Sequence, residues 1–252
     1  MVDQRIVNES EVQLLSRARE RVLDRIADAA ARVGRDPAGV TLVAVSKTVP
    51  AERLVAAVDA GLTILAENRV QEGEAKAPLV SGATWHLVGP LQSNKARRAL
   101  ETFDLIQSVD STDLARRLDR LASEARPGAG VPILLQVNVD DDAAKAGFEL
   151  ADLQADLDEI LDLPGLDVRG LMTIGRLVER AGEARPTFRS LRELSERLRG
   201  GRPRLGEELS MGMSADFEVA VEEGATIVRV GRALFGERPH EHPARDDAPG
   251  IG

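Results

Sequence analysis

Eight short apolar runs, each followed by a helix-like stretch or turn, restrict this sequence more than any other feature. They are 41–46 (TLVAVS), 62–66 (LTILA), 84–88 (TWHLV), 103–108 (FDLIQS), 132–138 (PILLQVN), 166–173 (LDVRGLMT), 207–211 (EELSM) and 226–230 (TIVRV). Near-continuous apolar strands belong to parallel sheets, because crossover helices cover both faces and leave no polar side. The stretches between them read as those helices. In 111–126, Ser111 or Thr112 can cap, and Leu114, Leu118, Leu121 and Ala122 share one face. A further amphipathic segment, 9–34, precedes the first strand, with Leu15, Ala18, Val22, Ile26 and Ala29 at helical spacing.

Two architectures accept this alternation, a closed (β/α)8 barrel and an open doubly wound sheet. Eight strands in 252 residues favour the barrel, whose usual size is about 250 residues. No G-x-G-x-x-G follows the first strand, which weakens a dinucleotide-binding sheet. The expectation is an α/β fold: one TIM-type (β/α)8 barrel over 1–236, with an extra N-terminal helix covering part of the barrel or its bottom. Run 207–211 is short and half polar, the weakest strand of the eight. The tail, 237–252, holds three prolines and almost no large apolar residue, so it is expected to be disordered.

Charge and composition remove several functions. Lysine and arginine number 33 against 42 acidic residues, a net charge of −9, where a nucleic-acid binder needs a basic face. There is no cysteine, hence no disulfide, thiolate nucleophile or Cys-ligated zinc. Three histidines, His86, His240 and His242, are too few and too scattered to suggest a metal site. A G-x-S-x-G nucleophile elbow is missing. The polar start MVDQRIVNESEVQ is no secretory signal, and no apolar run of about 18 residues could span a membrane. A soluble, cytoplasmic protein is expected.

Chemistry in such barrels sits at the carboxyl ends of the strands. Lys47 ends the first run after five apolar residues, and a lysine held there can shed its proton and form a Schiff base with a carbonyl compound. A sugar phosphate and pyridoxal phosphate (PLP) are both carbonyl compounds of this kind. The loop SMGMS, Ser210 to Ser214, precedes a helix (ADFEVAVEEG) whose amino terminus could hold a phosphate, and Gly231 closes the eighth run. Asp216 in that first turn counts against this, since it competes for the same positive field. Arg229 lies two residues before Gly231 and needs an anion or ring acceptor, because it does not give up its charge. The SNKARR run, 93–98, reads as a solvated helical face.

The strings AVSKTVP, AENRVQEG, WHLVGPLQSNK, LMTIG, LSMGMSADFEVAV and VRVGRALFGER resemble the pyridoxal phosphate homeostasis protein family, similar in turn to the barrel half of alanine racemases. The resemblance runs in order from about residue 10 to about 238. It implies that Lys47 carries PLP as a Schiff base, that Ser210, Gly212, Met213, Ser214 and Gly231 surround the phosphate, and that Arg229 faces the pyridine nitrogen. It adds Asn68 and Met172 to the cofactor-binding set, with His86 and Lys145 as secondary candidates, and implies no catalytic residue. Family members commonly read G-E-N-Y where this chain has Ala66-Glu67-Asn68-Arg69, so any role of that aromatic is lost. The implied function is to hold and deliver PLP to enzymes that use it, without robust catalysis.

Two enzymes compete with that reading. Two-base racemisation requires an acid/base on the cofactor face opposite the lysine, a tyrosine from a second domain in alanine racemases. This chain contains no tyrosine. A cofactor-free Schiff-base aldolase would share the barrel, the lysine and the phosphate loops. Because the racemase dimer forms through its second domain, a monomer is expected here.

Overall fold

The computed structural model describes residues 4–236 apart from 126, 127, 129, 143 and 177. The predicted tail, with His240 and His242, lies outside the described residues. Strands β1 (Thr41–Val45), β2 (Ile64–Glu67), β3 (Thr84–Leu87), β4 (Leu105–Val109), β5 (Val131–Gln136), β6 (Leu166–Met172), β7 (Glu208–Ser210) and β8 (Ile227–Val230) each pair in parallel with the next. β8 pairs with β1, Val43 opposite Arg229, and closes the barrel. All eight predicted strands are present, their ends moved by no more than two residues.

The helices between them are α2 (Ala51–Asp59), α3 (Val70–Lys76), α4 (Ala96–Thr102), α5 (Thr112–Ala125), α6 (Leu150–Asp162), α7 (Arg185–Arg199) and α8 (Phe217–Glu222), with α9 (Arg232–Phe235) after β8. The predicted cap of α5 is Ser111, whose hydroxyl accepts the Leu114 N–H at 3.3 Å. The extra helix, α1 (Gln4–Arg32), starts earlier than the expected residue 9, since extending a helix already nucleated needs no further burial. It does not lie under the barrel. Its stripe of Leu15, Val22, Ile26 and Ala29 packs sideways against α2, α8 and α9, over the β1–β8 seam. Arg25 pins it there, 3.1 Å from Glu218 and over the Phe217 ring.

Neighbouring strand residues go to opposite cores, as the two-residue side-chain period requires. Val43, Ala66, Leu105, Leu134, Met172 and Ile227 fill the barrel interior. Ala44, Leu65, Ile106, Ile133, Leu171 and Val228 face the helices. This double burial explains the unbroken apolar runs, each large side chain contributing roughly 1.5–3 kcal/mol. Where β5 pairs with β6 the register slips between Ile133 and Leu134, so Leu134 pairs with Gly170 instead of Arg169. Gly170 has φ +150, and a Cβ there would fall 2.0 Å from the Glu208 carbonyl oxygen. Only glycine lets β7 approach so closely.

Candidate functional site

Lys47 follows Val43 and Val45 by steps of two, so its side chain leaves β1 on the inward phase, half-buried at the barrel mouth. The next residue, Thr48, has φ +67, a conformation that a β-branched residue adopts only at a cost of about 1–3 kcal/mol. Bonds on either side hold this turn. Ser46 Oγ donates to Glu67 Oε1 at 2.7 Å, and Lys76 Nζ donates to the Ser46 carbonyl at 3.0 Å and to Glu67 Oε1 at 2.8 Å. The Thr48 N–H points at Glu72 Oε2, 3.4 Å away. Glu67 is fully buried. Burial pushes its carboxyl above the usual range, against the opposing pull of the Lys76 and Ser46 hydrogen bonds.

Across the barrel, four inward side chains form one hydrogen-bonded chain. Arg229 Nη1 donates to Ser210 Oγ at 2.6 Å, Ser210 Oγ donates to Gln107 Oε1 at 2.6 Å, and Gln107 Nε2 donates to His86 Nδ1 at 2.9 Å. Every link runs in the same direction, because arginine has only donors and so fixes the sense of the hydroxyl and amide. The other Arg229 nitrogen donates to the Thr173 carbonyl at 2.7 Å, and its backbone N–H to the Gly212 carbonyl at 3.1 Å. Burial pushes the guanidinium down to about 10, with the Asp216 charge opposing, so it stays charged at neutral pH. Burial likewise holds His86 down at about 4, keeping it neutral.

The loops after β7 and β8 meet at Ser214. Its hydroxyl accepts the Gly231 N–H at 3.2 Å and the Ala233 N–H at 3.4 Å. Two backbone donors therefore converge on one oxygen, the arrangement that also receives a phosphate oxygen. The expectation that Ser214 sits at the start of its own helix is corrected: α8 begins only at Phe217, and Ser214 holds the turn into α9 instead. Asp216 accepts the Met213 N–H at 2.7 Å, so the predicted competition is real at that one donor. Gly212 takes φ +88, and a Cβ would lie 2.5 Å from that of Ala220. Glycine is obligatory where the loop folds onto α8.

The remaining predicted residues fall into place differently. Met172 is a buried wall of the barrel interior, and Asn68 is half-buried in the turn from β2 to α3. Gly89, in the string HLVGP, sits where a Cβ would overlap the Asn68 backbone. Ser210 belongs to the interior chain, its hydroxyl already shared between Arg229 and Gln107. The Lys145 ammonium is paired with Asp140 at 2.8 Å. Arg97 and Arg98 of SNKARR pair with Glu124 and Glu74 on the surface, as a solvated face should. Sequence reading gave no role to Gln107, Glu67 or Lys76. Gln107 left one signal, a polar residue two steps after inward Leu105 inside the apolar LIQSV. No helix among the described residues is long and apolar enough to cross a membrane.

Comparison with known proteins places the chain in a family. Residues 20–239 match the family model described as alanine racemase, N-terminal domain. The pyridoxal phosphate homeostasis protein of Pseudomonas aeruginosa is 44% identical over 229 residues, covering 89% of this chain and 96% of the relative. PipY of Synechococcus elongatus, solved without PLP, superposes with a TM-score of 0.76 at 45% identity, covering 85% of this chain and 99% of PipY. Its PLP-bound structure gives 0.75 at 45%, covering 84% and 100%. The chain belongs to the alanine racemase N-terminal domain family and, within it, to the pyridoxal phosphate homeostasis proteins.

Proposed function

We propose that this chain binds PLP covalently on Lys47, as a Schiff base, and holds and delivers it to PLP-dependent apoenzymes instead of turning over a substrate. The observation that carries this is the convergence of the Gly231 and Ala233 N–H groups on one point between the last two loops. That point shares a rim with Lys47 and Arg229. The donor set fits the group: two backbone N–H groups and a hydroxyl for a phosphate, a primary amine for an aldehyde, a buried cation for the ring. When bound, PLP supplies that aldehyde and a ring able to withdraw electrons. Ser214, Gly231 and Ala233 hold the anionic end, and Met172 walls the interior. Arg229 stays protonated up to about pH 10, so it is a poor proton donor to a ring nitrogen and leaves electron withdrawal weak. Relatives named for PLP homeostasis and a neighbour solved with PLP support the reading.

A monomer working in the cytoplasm completes the proposal, and light scattering of the purified protein tests the first part. The main test is the visible spectrum. Protein incubated with PLP should turn yellow, borohydride should bleach it, and Lys47→Ala should abolish the band. A band that persists in Lys47→Ala overturns the assignment. A cofactor-free aldolase would instead be trapped by borohydride only with a sugar phosphate present. Steady conversion of L- to D-alanine would overturn the carrier reading, which a chain with no tyrosine supports.

A further inference from the structure

Glu67, Glu72 and Lys76 have no part in the cofactor site as just described. Ala66 faces the barrel interior, so Glu67 points outward, toward α3, which carries Glu72 and Lys76. Yet their bonds end on the residues either side of Lys47. Lys76 and Glu67 take the carbonyl and hydroxyl of Ser46, and Glu72 takes the N–H of Thr48. Lys76 also ties the two carboxylates together, 2.8 Å from Glu67 and 3.7 Å from Glu72.

Two features separate this cluster from an ordinary ion pair. Glu67 is wholly buried and its Oε2 has no hydrogen-bond partner among the described residues, a costly arrangement that packing alone would not require. Thr48 is held at a positive φ that the chain abandons unless its surroundings impose it. We infer that Lys76, Glu67 and Glu72 are positioning residues for Lys47: they clamp the 46–48 turn so that the lysine leaves β1 into the barrel mouth. This rests on Lys47 being the cofactor amine. Condensation of that amine with an aldehyde forms one C=N bond and releases one water, with no other reactant. Its rate therefore reports how well the amine is presented.

The test separates capture of the phosphate from reaction of the aldehyde. Lys76→Met and the double variant Lys76→Met with Glu67→Gln are mixed with PLP, and the borohydride-trapped adduct is timed and mapped. The double variant removes both charges of the pair, so no unpaired carboxylate is left in the interior as it is in the single one. Affinity for 4′-deoxypyridoxine 5′-phosphate, which has no aldehyde, is measured alongside. Adduct formation should slow by about tenfold or more while affinity for the aldehyde-free analogue changes by less than about twofold. Glu72→Ala, at a partly exposed position, should slow it by a smaller factor. Wild-type rates in the double variant overturn the inference, and so does an equal loss for both ligands, which marks mere structural support. A wild-type adduct that maps elsewhere than Lys47 overturns the proposed function and this inference together.

Discussion

His86→Asn should flatten the acid side of this protein's stability curve. The wild-type imidazole is 6% exposed and accepts the Gln107 amide at Nδ1. Burial lowers its pKa from 6.5 to about 4. The unfolded chain therefore takes up a proton near 6.5 that the folded chain refuses until about 4. Stability is fully present above the unfolded value, is lost as the pH falls through this window, and is level below it. The gap between these two values is worth about 3 kcal/mol. Other groups titrate nearby. Burial raises Glu67, Asp110 and Asp216, whose effect has the opposite sign, and the Arg185 hydrogen bond lowers Glu222. All of these are common to both proteins and cancel in the comparison. The asparagine side-chain oxygen can still accept from Gln107, so the interior chain is kept. Urea unfolding of both proteins across this pH range gives the difference directly. Wild type should lose about 3 kcal/mol relative to the variant between the two pKa values. Parallel curves would refute the reasoning, because they mean that the imidazole titrates as if it were in water.

Gln107→Leu should cost about 2–4 kcal/mol in denaturant unfolding, because it strands the Ser210 hydroxyl and His86 Nδ1 inside the barrel. It should also shift the absorbance of bound PLP, since Arg229 loses its indirect anchor. Gly212→Ala should lower the thermal midpoint by several degrees: the φ of +88 and the 2.5 Å approach to Ala220 together cost about 2–4 kcal/mol. Ser214→Ala should cost about 1 kcal/mol of stability and weaken PLP several-fold, with pyridoxal unaffected in a parallel titration. Gly231→Val places its Cβ 3.3 Å from the Val45 carbonyl. It should reduce affinity for PLP far more than for pyridoxal, and equal losses would move the phosphate away from these two loops.

Much of this architecture was legible because each strand is buried on both sides. A double-sided apolar run needs no partner to be recognised, so eight of them, with their amphipathic helices, were readable along the chain. Parity along β1 made Lys47 legible too, since Val43, Val45 and Lys47 are in step. Strand ends were less so, because neighbours decide where pairing stops: β7 keeps only three residues and pairs with β8 through Ser210 opposite Ile227.

What the tertiary structure alone decided are the pairings across the closed barrel. Ser210 meets Gln107 across 103 positions of sequence, and Arg229 meets the Thr173 carbonyl across 56. Ser214 looked like the start of its own helix and instead serves a turn 17 residues on. Lys76 carries no local signal of its role, yet it holds the turn that carries Lys47. Periodicity and turn chemistry act between near neighbours, so the sequence determined the elements, the rim and the place of Lys47 on it. Which polar groups meet depends on how eight strands stagger as they close, and that belongs to no local stretch of the chain.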